Sequence, residues 1–237
     1  MSRPYFQFKQ FTVWHDLCSM KVGTDGTLLG AWVTVHPNDH VLDVGTGSGL
    51  IALMVAQRGA ATVCAIDVDE GAVQQASFNV RQSPWASRIV VQHADFTSFV
   101  APQPYQLVVC NPPFFSHALK GPDAQRNLAR HTSCLCAHTL MEGACRMLDA
   151  TGRVAIVVPF DQAALYVGES LAQGLALWRR CDVVTMVGKP PKRTLLEFAR
   201  ERDSGQGTQA DTLCLETVPG VPSAEYQALL HDFYLRF

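Results

Sequence analysis

From about residue 40 onward, short β-rich apolar runs alternate with longer stretches of helical periodicity. His40 to Val44 is the first such run and Thr62 to Asp67 the second. Arg88 to Gln92, Tyr105 to Cys110 and Arg153 to Val158 follow. Between them the pattern predicts helices from Leu50 to about Arg58, from Asp69 to about Arg81, and from about Ala124 to Leu148. Alternation of this kind argues for a parallel sheet with helices on both faces.

The rhythm then changes. Cys181 to Val187 and Thr194 to Ala199 read as strands joined by the turn Gly188-Lys189-Pro190-Pro191, with no room for a helix between them. A hairpin places an antiparallel pair at the edge of the sheet. Asp211 to Val218 can add another strand, Ser223 to about Phe233 reads as a closing helix with Ser223 as its N-cap, and Arg202 to Gln209 as a loop. The expected fold is α/β and Rossmann-like: a seven-stranded, mostly parallel sheet with an antiparallel edge hairpin and helices on both faces. Residues 1–39 read as an N-terminal cap or lid, and residues 40–237 as the main domain.

Composition narrows the class of molecule. A chain of 237 residues, 48% hydrophobic and 17% charged, is that of a globular protein with one large domain. A formal net charge of −2 provides no global field toward nucleic acid, so any such binding rests on a local basic patch. Of the eight cysteines, Cys64, Cys110 and Cys214 sit in apolar runs that read as buried strands, where a thiol behaves as a small hydrophobe. The start of the chain lacks a signal-peptide core, and no apolar run is long enough to span a bilayer. The expected compartment is a reducing cytoplasm, with no membrane association.

The chemistry concentrates after the strands. Gly45, Gly47 and Gly49 follow the first strand and precede a helix, so the backbone can turn tightly against a ligand at a positive helix end. The spacing is G-x-G-x-G, with Leu50 where the nicotinamide fingerprint carries its third glycine. Asp43, just before the glycines, would repel a pyrophosphate and welcome a cation such as a methionyl ammonium. Asp67, followed by Val68, closes the second strand about 22 residues beyond Gly45, an offset suited to ribose hydroxyls. Asp69 is read as a helix N-cap. Asp95 and Phe96 follow the third strand, where a carboxylate can accept from an adenine amine or simply be a solvated helix cap.

Asn111-Pro112-Pro113-Phe114 follows the fourth strand. A conjugated amine attacks a methyl sulfonium only when its lone pair leaves the π-system. The Asn111 side-chain oxygen and the Pro112 carbonyl, accepting from the amine hydrogens, favour that pyramidal geometry. Pro113 stiffens the backbone and Phe114 can stack on a planar acceptor.

On these residues the chain resembles class I methyltransferases with an (Asn/Asp)-Pro-Pro-(Tyr/Phe/Trp) motif. Within them, Phe8-Lys9-Gln10-Phe11, Met20 to Gly26, Leu28 to Trp32, Gln82 to Ala86 and Phe233-Tyr234-Leu235 resemble the bacterial valine-tRNA adenine methyltransferase family. The resemblance implies S-adenosylmethionine as cofactor and tRNA as partner, with the 6-amino group of the adenine 3′ of the anticodon as acceptor. Phe114 stands where tyrosine is commoner in that family. Related enzymes lay the segment matching Lys21 to Gly26 over the cofactor, which makes Thr24 a further cofactor candidate. Protein-glutamine methylation uses the same amine chemistry, but those enzymes carry a helical N-terminal domain for which 39 residues are too few. A non-catalytic binding module and an NAD oxidoreductase fit the motif and the glycine spacing less well.

Candidate RNA contacts are Lys189, Lys192 and Arg193 around the Pro-Pro turn, Arg126 with Arg130 on one helix face, and Lys9 and Lys21 near the start. The stretch His131 to His138 invites a metal reading. Yet Cys134 and Cys136 would lie roughly 200° apart around a helix, and no metal is expected.

Overall fold

The computed structural model describes residues 4–18, 21–113, 135–200 and 207–237. A hairpin of β1 (Tyr5–Gln7) and β2 (Thr12–Trp14) opens the chain, followed by α1 (Thr24–Trp32). The central alternation runs β3 (His40–Val44), α2 (Leu50–Gln57), β4 (Thr62–Asp67), α3 (Glu70–Arg81), β5 (Ile89–His93) and β6 (Tyr105–Cys110). It continues with α4 (Ala137–Met147), β7 (Leu148–Pro159), α5 (Ala163–Ala172), β8 (Leu175–Met186) and β9 (Arg193–Arg200). The chain closes with β10 (Gln209–Val218), β11 (Val221–Pro222) and α6 (Ala224–Leu230).

Among the described residues, strands β3 to β11 form one nine-stranded sheet in the order β11-β10-β8-β9-β7-β6-β3-β4-β5. From β5 through β7 every pair is parallel. The hairpin β8–β9 is antiparallel, but it does not end the sheet: β9 inserts between β7 and β8, and β10 pairs parallel on the outer side of β8. The seven expected strands are therefore extended by two. β8 is twelve residues long, and its outer row of backbone donors and acceptors is satisfied by β10 rather than left open.

Side chains alternate across the sheet into two cores. Val41, Leu107, Val109, Ala155 and Val157 face α1 and α2; Leu42, Val108, Cys110, Ile156 and Val158 face α4 and α5. Cys110 is buried as read, whereas Cys64 and Cys214 are only half-buried. Asp69 caps α3 by accepting from the Gly71 amide, and Ser223 caps α6 by accepting from the Tyr226 amide.

Two differences from the pattern have physical causes. Helix α5 lies where no element is predicted, because exposed Leu165 and Leu171 stand outside its buried stripe and blur the period. Of the long helix expected from Ala124, the described part begins only at Ala137, with Cys136 in extended backbone as the N-cap of α4; residues 124–134 lie outside the described residues. Cys136 thus precedes the helix instead of lying in it. No group of three metal-binding side chains occurs among the described residues, and no described helix is long and apolar enough to cross a membrane.

The segment before β3 shares the main core. Phe8 stacks on Phe11 at 4.5 Å, and Phe11 meets Trp85 edge-on at 5.7 Å. Leu28 and Leu29 of α1 are fully buried, and Gly30 brings α1 so close to Met54 that a Cβ there would meet its sulfur at 2.8 Å. Arg179 holds the far end of α1: its guanidinium lies 4.2 Å over the Trp32 ring and reaches Thr34 and the buried Glu197.

Candidate active site

Parallel strands leave their carboxyl ends on one edge, and there the connecting loops build a cleft. Gly45, Gly47 and Gly49 turn the chain from β3 into α2 with φ of 66°, 56° and 80°, the left-handed region that side chains disfavour. A Cβ added at Gly45 or Gly47 would meet nothing within 4 Å, so the space above this loop is open to a ligand.

Asp43 is wholly enclosed, with 0% exposure. Its Oδ2 accepts from the Thr46 hydroxyl at 2.6 Å and the Ala52 amide at 3.1 Å, while its Oδ1 has no partner. Burial pushes its pKa up to about 7, against the opposing hydrogen bonds from Thr46 and Ala52. Asp43 therefore braces the loop from beneath.

Asp67 ends β4 and is half-buried; its Oδ2 accepts from the Gly47 amide and its Oδ1 from the Asp69 amide, each at 2.9 Å. Val68 is exposed, and its carbonyl meets the His93 ring at 2.9 Å. Asp95 is exposed and closes a turn through Thr97, whose amide and hydroxyl both donate to Oδ1 at 2.8 Å. The Phe96 ring turns into the core against Gly143, where a Cβ would meet it at 2.6 Å. Only the backbone of Phe96 can face a ligand.

Asn111 follows β6, beside β3 in the sheet. Its Oδ1 is enclosed without a hydrogen-bond partner, an arrangement that costs about 1–3 kcal/mol. Pro112 is buried and Pro113 exposed; Phe114 lies outside the described residues. The first turn of α1 stands against Asn111: a Cβ at Gly26 would come within 3.9 Å of its Nδ2. Thr24 is exposed at the start of that helix.

The basic residues are differently employed. Lys9 donates from Nζ to the carbonyls of His231 and Phe237 at 2.5 and 2.8 Å, latching the chain's two ends together. Arg193 pairs with Asp25 of α1 at 2.7 Å. Lys21, Lys189 and Lys192 are exposed, and Arg126 and Arg130 lie outside the described residues.

Sequence reasoning missed two buried amides on α3. Asn79 is 1% exposed, donates to the carbonyls of Trp14 and Ser48 at 2.8 Å, and accepts from the Trp14 amide at 3.0 Å. One turn earlier, Gln75 accepts from the Leu17 amide at 2.9 Å. Together they pin the strap at 14–17 along α3 beside the glycine loop. Their signal was present as two amides at i and i+4 on a predicted helix, the spacing of one face.

A family model for the methyltransferase small domain matches residues 18–171. A tRNA1(Val) (adenine(37)-N6)-methyltransferase of Bacteroides fragilis is 45% identical over 239 residues, covering 100% of both chains. Its counterpart in Tolumonas auensis is 43% identical, covering 98% of this chain and 97% of that one. The chain belongs to the methyltransferase small domain family, in the branch of the tRNA1(Val) adenine methyltransferases. Among solved structures, a predicted O-methyltransferase from Agrobacterium tumefaciens has the same fold, with a TM-score of 0.68 at 15% identity over 88% of this chain and 96% of that one.

The cofactor of such a methyltransferase is S-adenosylmethionine, and the site fits it. The open space over Gly45 and Gly47 accepts a bulky ligand, and the unpartnered, enclosed Asp43 oxygen favours a cationic one. In this methyltransferase the acceptor oxygen of Asn111 stands on the same sheet edge, one strand away.

Proposed function

We propose that this chain methylates the 6-amino group of an adenine in the anticodon loop of a tRNA, the one 3′ of the anticodon in valine tRNA. The observation that carries the reading is the enclosed, unpartnered Oδ1 of Asn111 at the end of β6, an acceptor waiting for an N–H donor. When bound, S-adenosylmethionine supplies an electrophilic methyl carbon on a sulfonium.

Every other part of the reaction falls to the chain. Asp67 would take the ribose hydroxyls on lone pairs left over from the Gly47 and Asp69 amides, and Val68, Asp95 and Phe96 would hold the adenine end. Gly45, Gly47 and Gly49 allow backbone contact, Asp43 balances the positive charge, and Thr24 at the head of α1 covers the cofactor. Asn111 Oδ1 and the Pro112 carbonyl accept the two amine hydrogens. So held, the amine nitrogen would be pyramidal with its lone pair free of the ring, and the proton it sheds would leave to water. Pro113 stiffens the motif and Phe114 stacks on the base. No strong base is required.

A loop adenine is already unpaired, so turning it into the site costs less than extracting one from a duplex. Lys21, Lys189, Lys192 and Arg126 are the proposed phosphate contacts. Lys9 and Arg193, engaged within the fold, contribute less. The proposed compartment is the cytoplasm, where tRNA and cofactor meet. Total tRNA incubated with the enzyme and methyl-labelled cofactor, digested and read by nucleoside mass spectrometry, should yield labelled N6-methyladenosine. Label appearing only in a Gly-Gly-Gln release-factor peptide would overturn this function.

A further inference from the structure

Phe160 is the first residue past β7, in a short 3-10 turn, and it is 38% exposed although it continues the apolar row of Ile156 and Val158. Its position is tied down twice. Its amide donates to the Lys192 carbonyl at 3.2 Å, and the Arg180 guanidinium lies 5.6 Å over its ring. Arg180 itself is immobilised, because Nε and Nη2 both meet the Asp182 carboxylate, at 3.0 and 3.1 Å, and Asp182 also takes the Thr194 hydroxyl at 2.8 Å.

This arrangement is poorly suited to a phosphate and well suited to a base. The Arg180 charge is already balanced by Asp182, so it adds little to a phosphate contact. Its guanidinium instead lies over the ring of an exposed aromatic residue. Beside that ring, Lys192 is exposed and its backbone is bonded to that of Phe160. An exposed aromatic residue with an adjacent lysine is the combination that holds single-stranded nucleic acid: the ring stacks a base and the cation meets the backbone.

The register locates the platform relative to the chemistry. Cys110 pairs with Ile156, so Asn111 stands level with Val157 on the neighbouring strand and Phe160 lies three residues further along. At a strand's rise that is about 10 Å. Phe160 is too far from Asn111 to stack the reacting adenine, yet it stands at the same sheet edge.

We infer that Phe160 is a stacking platform for a nucleotide flanking the target adenine, with Lys192 on the accompanying phosphate. This rests on the proposed function and adds to it a subsite that reads the neighbour of the reacting base. Stacking is tolerant of base identity, so the subsite selects an unpaired, splayed neighbour rather than one sequence.

The test uses the full chain and an anticodon stem–loop hairpin carrying 2-aminopurine on either side of the target adenine. Wild type should quench the probe at one flanking position. Phe160→Ala should abolish the quench and raise the hairpin Kd about tenfold, the scale of one stacked base. Phe160→Trp should restore both. Cofactor affinity of all three, by calorimetry, should agree within twofold, which separates a lost platform from a damaged fold. If Phe160→Ala binds and quenches as wild type does while wild type methylates the hairpin, the platform is overturned and the function stands. A wild type that methylates no adenine in hairpin or tRNA removes the function and this inference with it.

Discussion

The Gly47 amide donates to the Asp67 carboxylate over 2.9 Å, joining the glycine loop after β3 to the end of β4. One carboxylate thereby fixes the loop's shape and, in the proposed function, presents its remaining lone pairs to a ribose. Asp67→Ala should weaken cofactor binding by about 1.5–3 kcal/mol, the scale of hydrogen bonds to a charged group. Calorimetry on the folded variant checks this, and unchanged affinity would take Asp67 out of the cofactor site.

Asn111 is expected to matter for the chemical step alone. Asn111→Ala should lower the single-turnover rate by on the order of a hundredfold or more while cofactor affinity stays within a few-fold. Because the Oδ1 it removes has no partner in the fold, the variant should be at least as stable as wild type. Rapid-quench kinetics and thermal melting together test the pair of outcomes.

Burial raises the Asp43 pKa to about 7 in the free protein, so near and below that pH a growing fraction carries a proton. A cationic cofactor favours the ionised form. Binding therefore releases a proton at low pH, and affinity should fall as pH drops below about 7 and level off above it. Calorimetry across pH 6 to 8 in buffers of different ionisation enthalpy reads both effects. Asp43→Asn should flatten the profile; an Asn variant with the same slope would assign the titration elsewhere.

The hairpin tip calls for a selective charge reversal, because Arg193 is already paired with Asp25 of α1. Lys189→Glu with Lys192→Glu should weaken tRNA binding and reduce its salt slope by roughly 0.7–0.9 for each phosphate left unneutralised, with cofactor affinity intact. Filter binding over a salt series decides it. Wild-type affinity in the double variant would make the tip an ordinary solvated turn.

Asn79→Ala should destabilise the protein by about 2–3 kcal/mol, since it leaves the Trp14 amide and the Trp14 and Ser48 carbonyls without their partner. Denaturant unfolding measures the loss. Hydrogen exchange at residues 12–18 should rise with it, and exchange unchanged there would show that the strap is held by its aromatic contacts instead.

Much of the site was legible because it is local. Asp43, the three glycines, Asp67 and Asn111 each sit at the end of a strand whose apolar run announces it, and β3, β4 and β6 begin and end where the pattern places them. The clamp of Asn79 and Gln75 was hidden, since an amide's partner 65 residues away leaves no mark on local periodicity. The same holds for Lys9 and Arg193: their charge is visible in the chain, whereas the carbonyls that occupy Lys9 are 222 and 228 residues distant and the carboxylate on Arg193 is 168.

The sequence by itself determined the parallel α/β alternation, the glycine turn and the acceptor motif, because side-chain period and backbone freedom are properties of adjacent residues. Only the tertiary structure decided that β9 enters the sheet between β7 and β8 and that β10 covers the outer side of β8. It alone enclosed Asp43 until its pKa rose, and it alone set Phe160 against Arg180 at the edge where Asn111 waits. Strand order, burial and charge balance depend on which distant segments come together, and a meeting of distant segments has no local period to announce it.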